Sequence, residues 1–402
     1  MAALLIFAGT YLVLAAGGMP GFRIDRTGAA IIGAALMIGF NVLTFEEAVK
    51  AVDHSTLVLL FGMMIVVANL RLSGFLRLVT VAVVRHAHRP LTLLAGVILV
   101  SGVFSAFFVN DTICLVLTPL VVEIAVALKR NPVPYLLAVA MASNAGSAAT
   151  ITGNPQNMMI GALSAIPYFR FASALAPVAA AGLALTFVVI ALLYRGEFRR
   201  TARVEVGDLR VRVNRVVMWK SLAVSAGMLA FFFAGFPVAN VAVVAGALLL
   251  ITRRVKPEKV YHEIDWSLLA MFAGLFVVVA GVEKTALDED LFAFASRYRL
   301  DRIAVLSTFS ALLSNLVSNV PAVLIFRPVV LHLPDPGLAW LTLAMSSTLA
   351  GNLTLLGSVA NLIVVQRARG EAEITFFEHL RAGVPLTALS IAAGVIRLSL
   401  LR

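Results

Sequence analysis

Charged side chains are scarce in this sequence. Aspartate, glutamate, lysine and arginine make up 13% of its 402 residues, about half the share expected of a soluble globular domain. So little charge cannot clothe a chain of this length in a water-facing surface, which excludes a soluble protein. Cysteine is nearly absent: Cys114 stands alone, so neither a disulfide framework nor a multi-cysteine metal or iron–sulfur site is open to it. Histidine is sparse as well. His54, His86, His88, His262, His332 and His379 fall in loops or at the ends of apolar runs and form no HExxH or other metal-spaced pair. Walker motifs, GxSxG elbows and kinase-type glycine loops are missing, which argues against ATP-driven transport by this chain alone and against enzyme chemistry. The opening stretch MAALLIFAGTYLVLAAGGMP has no basic n-region, so it reads as a first span rather than a cleaved signal.

Apolar residues fill the space left by charge. They make up 61% of the chain, and its mean hydropathy is +0.98. With about 20 residues per crossing, the runs 3–18, 27–43, 55–71, 134–167, 173–194, 216–235, 237–252, 266–282, 338–366 and 383–400 predict an all-α protein of ten spans, two of them interrupted. Two further apolar stretches, 91–127 and 303–331, are broken midway by FFVNDTICL and NLVSNVPAVL and read as re-entrant helical hairpins. Loop charge tests this order. The loop EFRRTARVEVGDLRVRVNR (197–215) is the most basic, and with it in the cytoplasm of an inner-membrane protein, alternation gathers Arg71, Arg77, Lys129, Lys256 and Arg367 on its side. TFEEAVKAVD and VEKTALDEDL go to the other. The net charge of +11 is thereby accounted for in short loops, and no nucleic-acid partner is implied.

An internal repeat organises the chain. VDHSTLVLLFGMMIVVA (52–68) aligns with IDWSLLAMFAGLFVVVA (264–280), Asp53 on Asp265 and Gly62 on Gly274. SAFFVNDTICLVLTPLV then aligns with SNLVSNVPAVLIFRPVV, Asn110 on Asn319, and MASNAGSAATITGNPQN with MSSTLAGNLTLLGSVAN, Asn157 on Asn361. The chain divides into a first repeat at 1–196, a basic cytoplasmic linker at 197–215 and a second repeat at 216–402. Five crossings per repeat is an odd number, so the repeats lie inverted, as in secondary transporters whose sites form at mid-membrane between broken helices.

The breaks are where chemistry is expected. A chain that turns inside a bilayer bares backbone groups that only protein or a water-filled cavity can satisfy. Unwound carbonyls there suit a cation, and half-helix N-termini suit an anion. The substrate set is Asn110, Asp111 and Thr112 at one tip, Asn319, Val320 and Pro321 at the other, Thr152, Gly153, Asn154, Pro155 and Asn157 in the first interrupted span, and Gly357, Ser358 and Asn361 in the second. Small runs such as SNAGSAA serve equally for close helix packing. Asp111 is the acidic residue placed nearest mid-membrane, with three readings: proton carrier, sodium ligand, or cap of the second hairpin helix. Arg327 is read either as a counter-charge for an anion or as snorkelling to the outer interface.

At these residues the chain resembles the ion transporter superfamily, which includes divalent anion/sodium symporters, arsenical pump permeases and related sodium/proton antiporters. The asparagine at each tip and the break Gly153-Asn154-Pro155-Gln156-Asn157 carry the resemblance, with the looser Gly357-Ser358-Val359-Ala360-Asn361 in the second repeat. It spans nearly the whole chain and implies an elevator transporter, a homodimer whose hairpins and broken helices move against a scaffold in the lipid bilayer. By the same resemblance, sodium would be held by Asn110, Ser143, Asn144, Gly146 and Thr150 in one half and by Asn319, Ser347, Thr348, Asn352 and Thr354 in the other. Dicarboxylate symporters of the family carry Ser-Asn-Thr at both tips. Asn-Asp-Thr and Ser-Asn-Val-Pro stand closer to the arsenical-pump branch. The expectation is a carrier for a small inorganic or carboxylate anion with sodium or a proton as coupling ion, against an arsenite/antimonite exporter or a sodium/proton antiporter. A channel fits less well, because a symmetric selectivity ring is missing.

Overall fold

The computed structural model describes residues 2–18, 22–85, 89–199, 212–284, 295 and 297–401. Every regular element among them is helical. The first half runs α1 (Ala2–Ala16), α2 (Arg26–Gly39), α3 (Phe45–Ala51), α4 (His54–Ser73), α5 (Phe75–Arg85), α6 (Pro90–Phe107), α7 (Asn110–Ala127), α8 (Pro132–Ser147), α9 (Pro155–Ser164), α10 (Tyr168–Leu193) and α11 (Arg195–Phe198). The second continues with α12 (Arg215–Phe233), α13 (Val238–Leu250), α14 (Pro257–Tyr261), α15 (Trp266–Glu283), α16 (Ile303–Val317), α17 (Asn319–Leu331), α18 (Pro336–Ala350), α19 (Val359–Ala368) and α20 (Phe376–Ser399). His86, His88 and most of the 197–215 linker lie outside the described residues.

Short polar signals set the helix starts, because the first backbone N–H groups of a helix need an acceptor. Asp25, Asp53, Asn131, Asn154, Asn214, Asp265, Asp335, Ser358 and Thr375 each accept from a first-turn N–H of the helix that follows. Thr44 and Glu47 close a capping box at α3. Among the described residues, seven helices are long and apolar enough to span a bilayer: α4, α6, α7, α10, α12, α15 and α20. The multi-pass membrane character read from the sequence is thus present in the structure.

Three spans are shorter than their apolar runs suggested. α1, α2 and α13 have 15, 14 and 13 residues, and 14 residues rise only about 21 Å against a hydrocarbon core of ~30 Å. Two other elements depart from the sequence reading. Arg77, assigned to a loop, sits on the amphipathic α5, whose Leu76, Thr80 and Val81 are buried while Arg77 pairs with Glu123 of α7 at 2.9 Å. The last helix begins at Phe376, because Thr375 caps it. That places His379 within the helix, not in a loop.

The packing repeats itself along the chain. α4 lies against α13, and α15 lies against α2. Close approach explains both. A Cβ on Gly62 would stand 2.5 Å from the Ala242 carbonyl carbon, and one on Gly274 would stand 2.7 Å from that of Ala30. These two contacts are equivalent, since Gly62 and Gly274 are 212 residues apart and so are Ala30 and Ala242. Likewise α6 packs on α8 and α16 on α18, so each hairpin's first arm braces a broken helix. Lys284, following α15, pairs with Glu47 of α3 at 2.8 Å, tying the two halves at the end opposite Arg71 and Arg367. That contact, with the Thr44 backbone, holds the Glu47 carboxyl below its ordinary value.

Candidate functional site

Four breaks in helical backbone meet at the centre. Residues 108–109 separate α6 from α7, Ser318 separates α16 from α17, and single 3-10 turns (Ile151–Gly153 and Leu355–Gly357) interrupt α8/α9 and α18/α19. Close contacts favour glycine at both interruptions, with backbone as the obstacle at the first and a side-chain end at the second. A Cβ on Gly153 would lie 2.1 Å from the Ser147 carbonyl oxygen, and one on Gly357 would lie 2.6 Å from Asn315 Oδ1.

Amides tie the breaks shut. Asn157 Nδ2 donates to the carbonyls of Ser147 (3.1 Å) and Thr150 (3.0 Å). Asn361 Nδ2 donates to those of Gly351 (2.7 Å) and Thr354 (3.1 Å). The second set is the first displaced by 204 residues. Each asparagine thus replaces backbone bonds that a continuous helix would have made.

Cross-bonds then join the halves. Asn144 Oδ1 accepts from Asn110 Nδ2 (3.1 Å) and Ser358 Oγ (3.0 Å), while Asn144 Nδ2 donates to Asn352 Oδ1 (3.0 Å) and Asn361 Oδ1 (3.1 Å). Thr348, the counterpart of Asn144, donates to Asn157 Oδ1 (3.3 Å) and accepts from Asn154 Nδ2 (3.1 Å) and Gln156 Nε2 (3.2 Å). Every side chain named here is buried and neutral. Such a network is tolerable inside a membrane only because its members satisfy one another.

Two pairs of oxygens are exceptions. Asn110 Oδ1, Asn319 Oδ1, Ser105 Oγ and Ser314 Oγ are buried and have no hydrogen-bond partner among the described residues. They too are pairs, each 209 residues apart. Buried hydroxyls of Thr56, Ser221, Ser225, Ser307 and Ser310 are also without a partner among the described residues; what distinguishes the two tip amides is that their free oxygens stand at equivalent positions beside the broken helices.

The sequence-predicted residues do not all reach the same place. Asn110, Asn144, Asn154, Asn157, Thr348, Asn352, Ser358 and Asn361 form the central network. Thr150, Thr152, Thr354 and Ser347 turn elsewhere: Thr150 to the Ala106 carbonyl, Thr152 to Tyr168 Oη at 2.9 Å, Thr354 to Asn315 Oδ1 at 2.9 Å, and Ser347 back onto Leu343 O. Ser143 accepts from Cys114 Sγ at 3.0 Å, and Gly146 lies hard against the Gly102 backbone, the close packing that small-residue runs permit. Asn110 opens α7 and Asn319 opens α17 rather than sitting at the turn itself; Val320 is buried, and the Pro321 carbonyl accepts from Tyr11 Oη at 3.2 Å. Asp111 and Thr112 are half-buried in the first turn of α7, and Pro155 begins α9. Gln156 and Asn315 were not singled out from the sequence, although Gln156 lies inside the motif that was. Nor was His379, whose buried Nε2 donates to the Asn352 carbonyl at 3.2 Å. Arg327, read from the sequence as a counter-charge or as snorkelling to the outer interface, pairs with Glu283 at 3.8 Å.

Ser318, at the second tip, has φ 78° and ψ 161°, a region that only glycine occupies freely at a cost of about 1–3 kcal/mol to other residues. Ser318→Gly is therefore expected to stabilise the protein by about 1 kcal/mol, read as a raised unfolding midpoint in detergent. An unchanged or lowered midpoint would show that the serine is unstrained.

A model of the citrate transporter family matches residues 3–350 of the chain. The silicon efflux transporter LSI3 of Oryza sativa subsp. japonica is 31% identical, over 94% of this chain and 93% of its own length. The protein called transporter arsB in Dictyostelium discoideum is 24% identical, over 92% of this chain and 87% of its own. Of solved structures, the Alcanivorax borkumensis YdaH transporter covers 100% of this chain and 98% of its own with a TM-score of 0.64 at 15% identity. Neisseria gonorrhoeae MtrF covers 98% and 93%, with a TM-score of 0.64 at 13% identity. Both have the fold described above.

Proposed function

The chain belongs to the citrate transporter family, and on that premise we propose that it is a secondary active transporter for a small anion, coupled to sodium or protons. It works as two inverted repeats, 1–196 and 216–402, in the inner membrane with the basic loops cytoplasmic. Hairpins and broken helices form the moving part, and α4, α13, α15 and α2 the scaffold of a homodimer, in elevator fashion.

The observation that carries this reading is the pair of orphaned acceptors, Asn110 Oδ1 and Asn319 Oδ1, beside four inward-facing helix N-termini, those of α7, α9, α17 and α19. The oxygens suit a hard cation. Helix N-termini supply the N–H groups and positive dipole ends that an anion needs. Because the C-termini of α6, α8, α16 and α18 reach the same place, cation and anion can be held side by side, each screening the other in a low dielectric. Asp111 serves as the proton-coupling residue if the coupling ion is H+.

Thermal stability of the purified protein, titrated with sodium, pH and a panel of dicarboxylates, citrate, sulfate, phosphate and arsenite, tests this. A bound ligand at a hundredfold excess over its Kd stabilises by about 3 kcal/mol. That shift should disappear in Asn110→Ala and Asn319→Ala. A panel in which nothing shifts stability, or a shift undiminished in both variants, sinks the proposal.

A second reading, export of an undissociated weak acid such as arsenous acid, is favoured by one feature. The network consists of amides and hydroxyls with no cationic member, and a neutral polyhydroxy solute exchanges hydrogen bonds with such groups without the desolvation cost of a charge. The names of the rice and Dictyostelium relatives point the same way. Arsenite efflux that is unaffected by competing carboxylates would select it.

A further inference from the structure

The two halves are built alike, yet their two faces differ. Beside Arg71 and Arg367 a cavity of about 360 Å³ separates α4 and the start of α15 from α7 and α19. Met64, Arg71, Thr112 and Leu115 line it, together with Glu263 and Arg367. It runs from the basic end down to Thr112, in the first turn beyond the hairpin break, where Asp111, Thr112 and Leu115 are half-buried. Arg71 is held back on the scaffold side by its ion pair with Glu263, which leaves the passage open.

At the repeat's offsets of 212 and 209, the counterparts of Met64, Arg71, Thr112 and Leu115 are Phe276, Glu283, Pro321 and Leu324. These belong to the opposite face, and there the structure is closed. Phe276 and Leu324 have no exposed surface. Glu283 of α15 holds Arg327 of α17 at 3.8 Å, both about one-quarter exposed at 28% and 26%. Tyr11 of α1 donates to the Pro321 carbonyl at 3.2 Å. The same four positions thus line an open passage in one half and a seal in the other.

Resting on the transporter reading above, we propose that the cavity is the cargo's passage to the site from the basic-loop side, and that Arg327–Glu283 with Tyr11–Pro321 is the closed gate on the other. α1 packs on α2 and α15, so both contacts join hairpin to scaffold and both must break before the site opens outward. The pseudo-two-fold gives the shape of the opposite state: Leu324 becomes exposed as Leu115 is here, and the Thr112 surface closes. Asymmetry between equivalent positions is what a transporter captured in one of its two states must show, since a symmetric arrangement would be open to both sides or to neither.

Cysteine accessibility in proteoliposomes of the full chain tests this without knowledge of the cargo. Leu115→Cys and Leu324→Cys are labelled with a membrane-impermeant maleimide from each side, with the unsubstituted protein, whose one cysteine is buried, as the blank. Leu115→Cys should react from the basic-loop side, and Leu324→Cys only slowly from the other. An exposed or half-exposed ion pair contributes up to about 1 kcal/mol, and the minor state's population follows the equilibrium constant. Arg327→Gln or Glu283→Gln should accordingly raise the Leu324→Cys rate about 2–5-fold. Joint exchange, Arg327→Glu with Glu283→Arg, should return it. Tyr11→Phe, which removes one hydroxyl, should act in the same direction and keeps the test available should a charge variant fail to fold.

Unchanged Leu324→Cys rates in the gate variants, or fast labelling of Leu324→Cys from the outset, would overturn the gate. Gate behaviour as expected in a protein that moves no solute would instead overturn the transporter reading and leave the gate standing.

Discussion

Asn144→Ala is expected to abolish transport and to destabilise the protein by about 3–5 kcal/mol, because four buried partners lose their bonds at about 1–3 kcal/mol each before water refills part of the space. Asn110 Nδ2 and Ser358 Oγ lose their acceptor, and Asn352 Oδ1 and Asn361 Oδ1 lose their donor. No other single side chain in the network bonds both to the first hairpin and to the second broken helix. Asn144→Asp sharpens the test. It keeps the shape and the acceptor oxygen but turns both donors into a second acceptor, facing Asn352 Oδ1 and Asn361 Oδ1. The loss should therefore be as severe as with alanine. Flux in proteoliposomes and unfolding in detergent, measured together, decide it. Wild-type flux through Asn144→Asp would mean that the amide network is scaffolding around a site located elsewhere.

The second large effect belongs to the scaffold. Gly62→Val and Gly274→Val should both fail to accumulate as folded protein, since the new side chain would enter a backbone 2.5 Å and 2.7 Å from the glycine's Cβ position. Neither neighbour is a flexible side chain that can swing aside. Alanine at either position should cost about 1–3 kcal/mol, the range for overpacking. Gly227→Ala is the control: nothing lies within 4 Å of its Cβ position, so it should be neutral within ~0.5 kcal/mol. Because the two contacts are equivalent, Gly62 and Gly274 variants should lose similar amounts of stability, read from unfolding midpoints. A tolerant Gly62 beside an intolerant Gly274 would count against equivalent roles in the two halves.

Part of the site was legible before any coordinates. Asn110, Asn157, Asn319 and Asn361 stand out because an apolar run gives an amide nothing to bond with unless the backbone breaks nearby. Their recurrence at offsets of 209 and 204 made the breaks visible as pairs. Burial of the network was implied by the same logic. What each amide bonds was not. Asn144 and Asn352 come from different halves of the chain, 208 positions apart, and Gln156 earns its place through Thr348, which is 192 positions away. Sequence spacing carries no information about such partners. His379 escaped notice because its helix begins before the apolar run does, at a threonine cap that hydropathy does not register.

Arg327 shows the same limit from the electrostatic side. A lone arginine beyond a hairpin tip has several outlets, and only the position of Glu283 at the end of α15 selects among them. The open and closed faces lie further still from what a sequence holds. A repeat encodes two equivalent halves and therefore two equivalent faces; which of them is open is a property of the packed state.

Composition and periodicity by themselves determined the membrane class, the helical architecture and the paired breaks, because each follows from local preference: apolar length, caps, and amides where helices cannot continue. Tertiary structure alone decided the cross-half hydrogen bonds, the orphaned acceptors at the two tips, the approach of Gly62 and Gly274 to facing backbones, and the asymmetry of the gate. These depend on distances between residues far apart in the chain, which packing sets and local sequence does not.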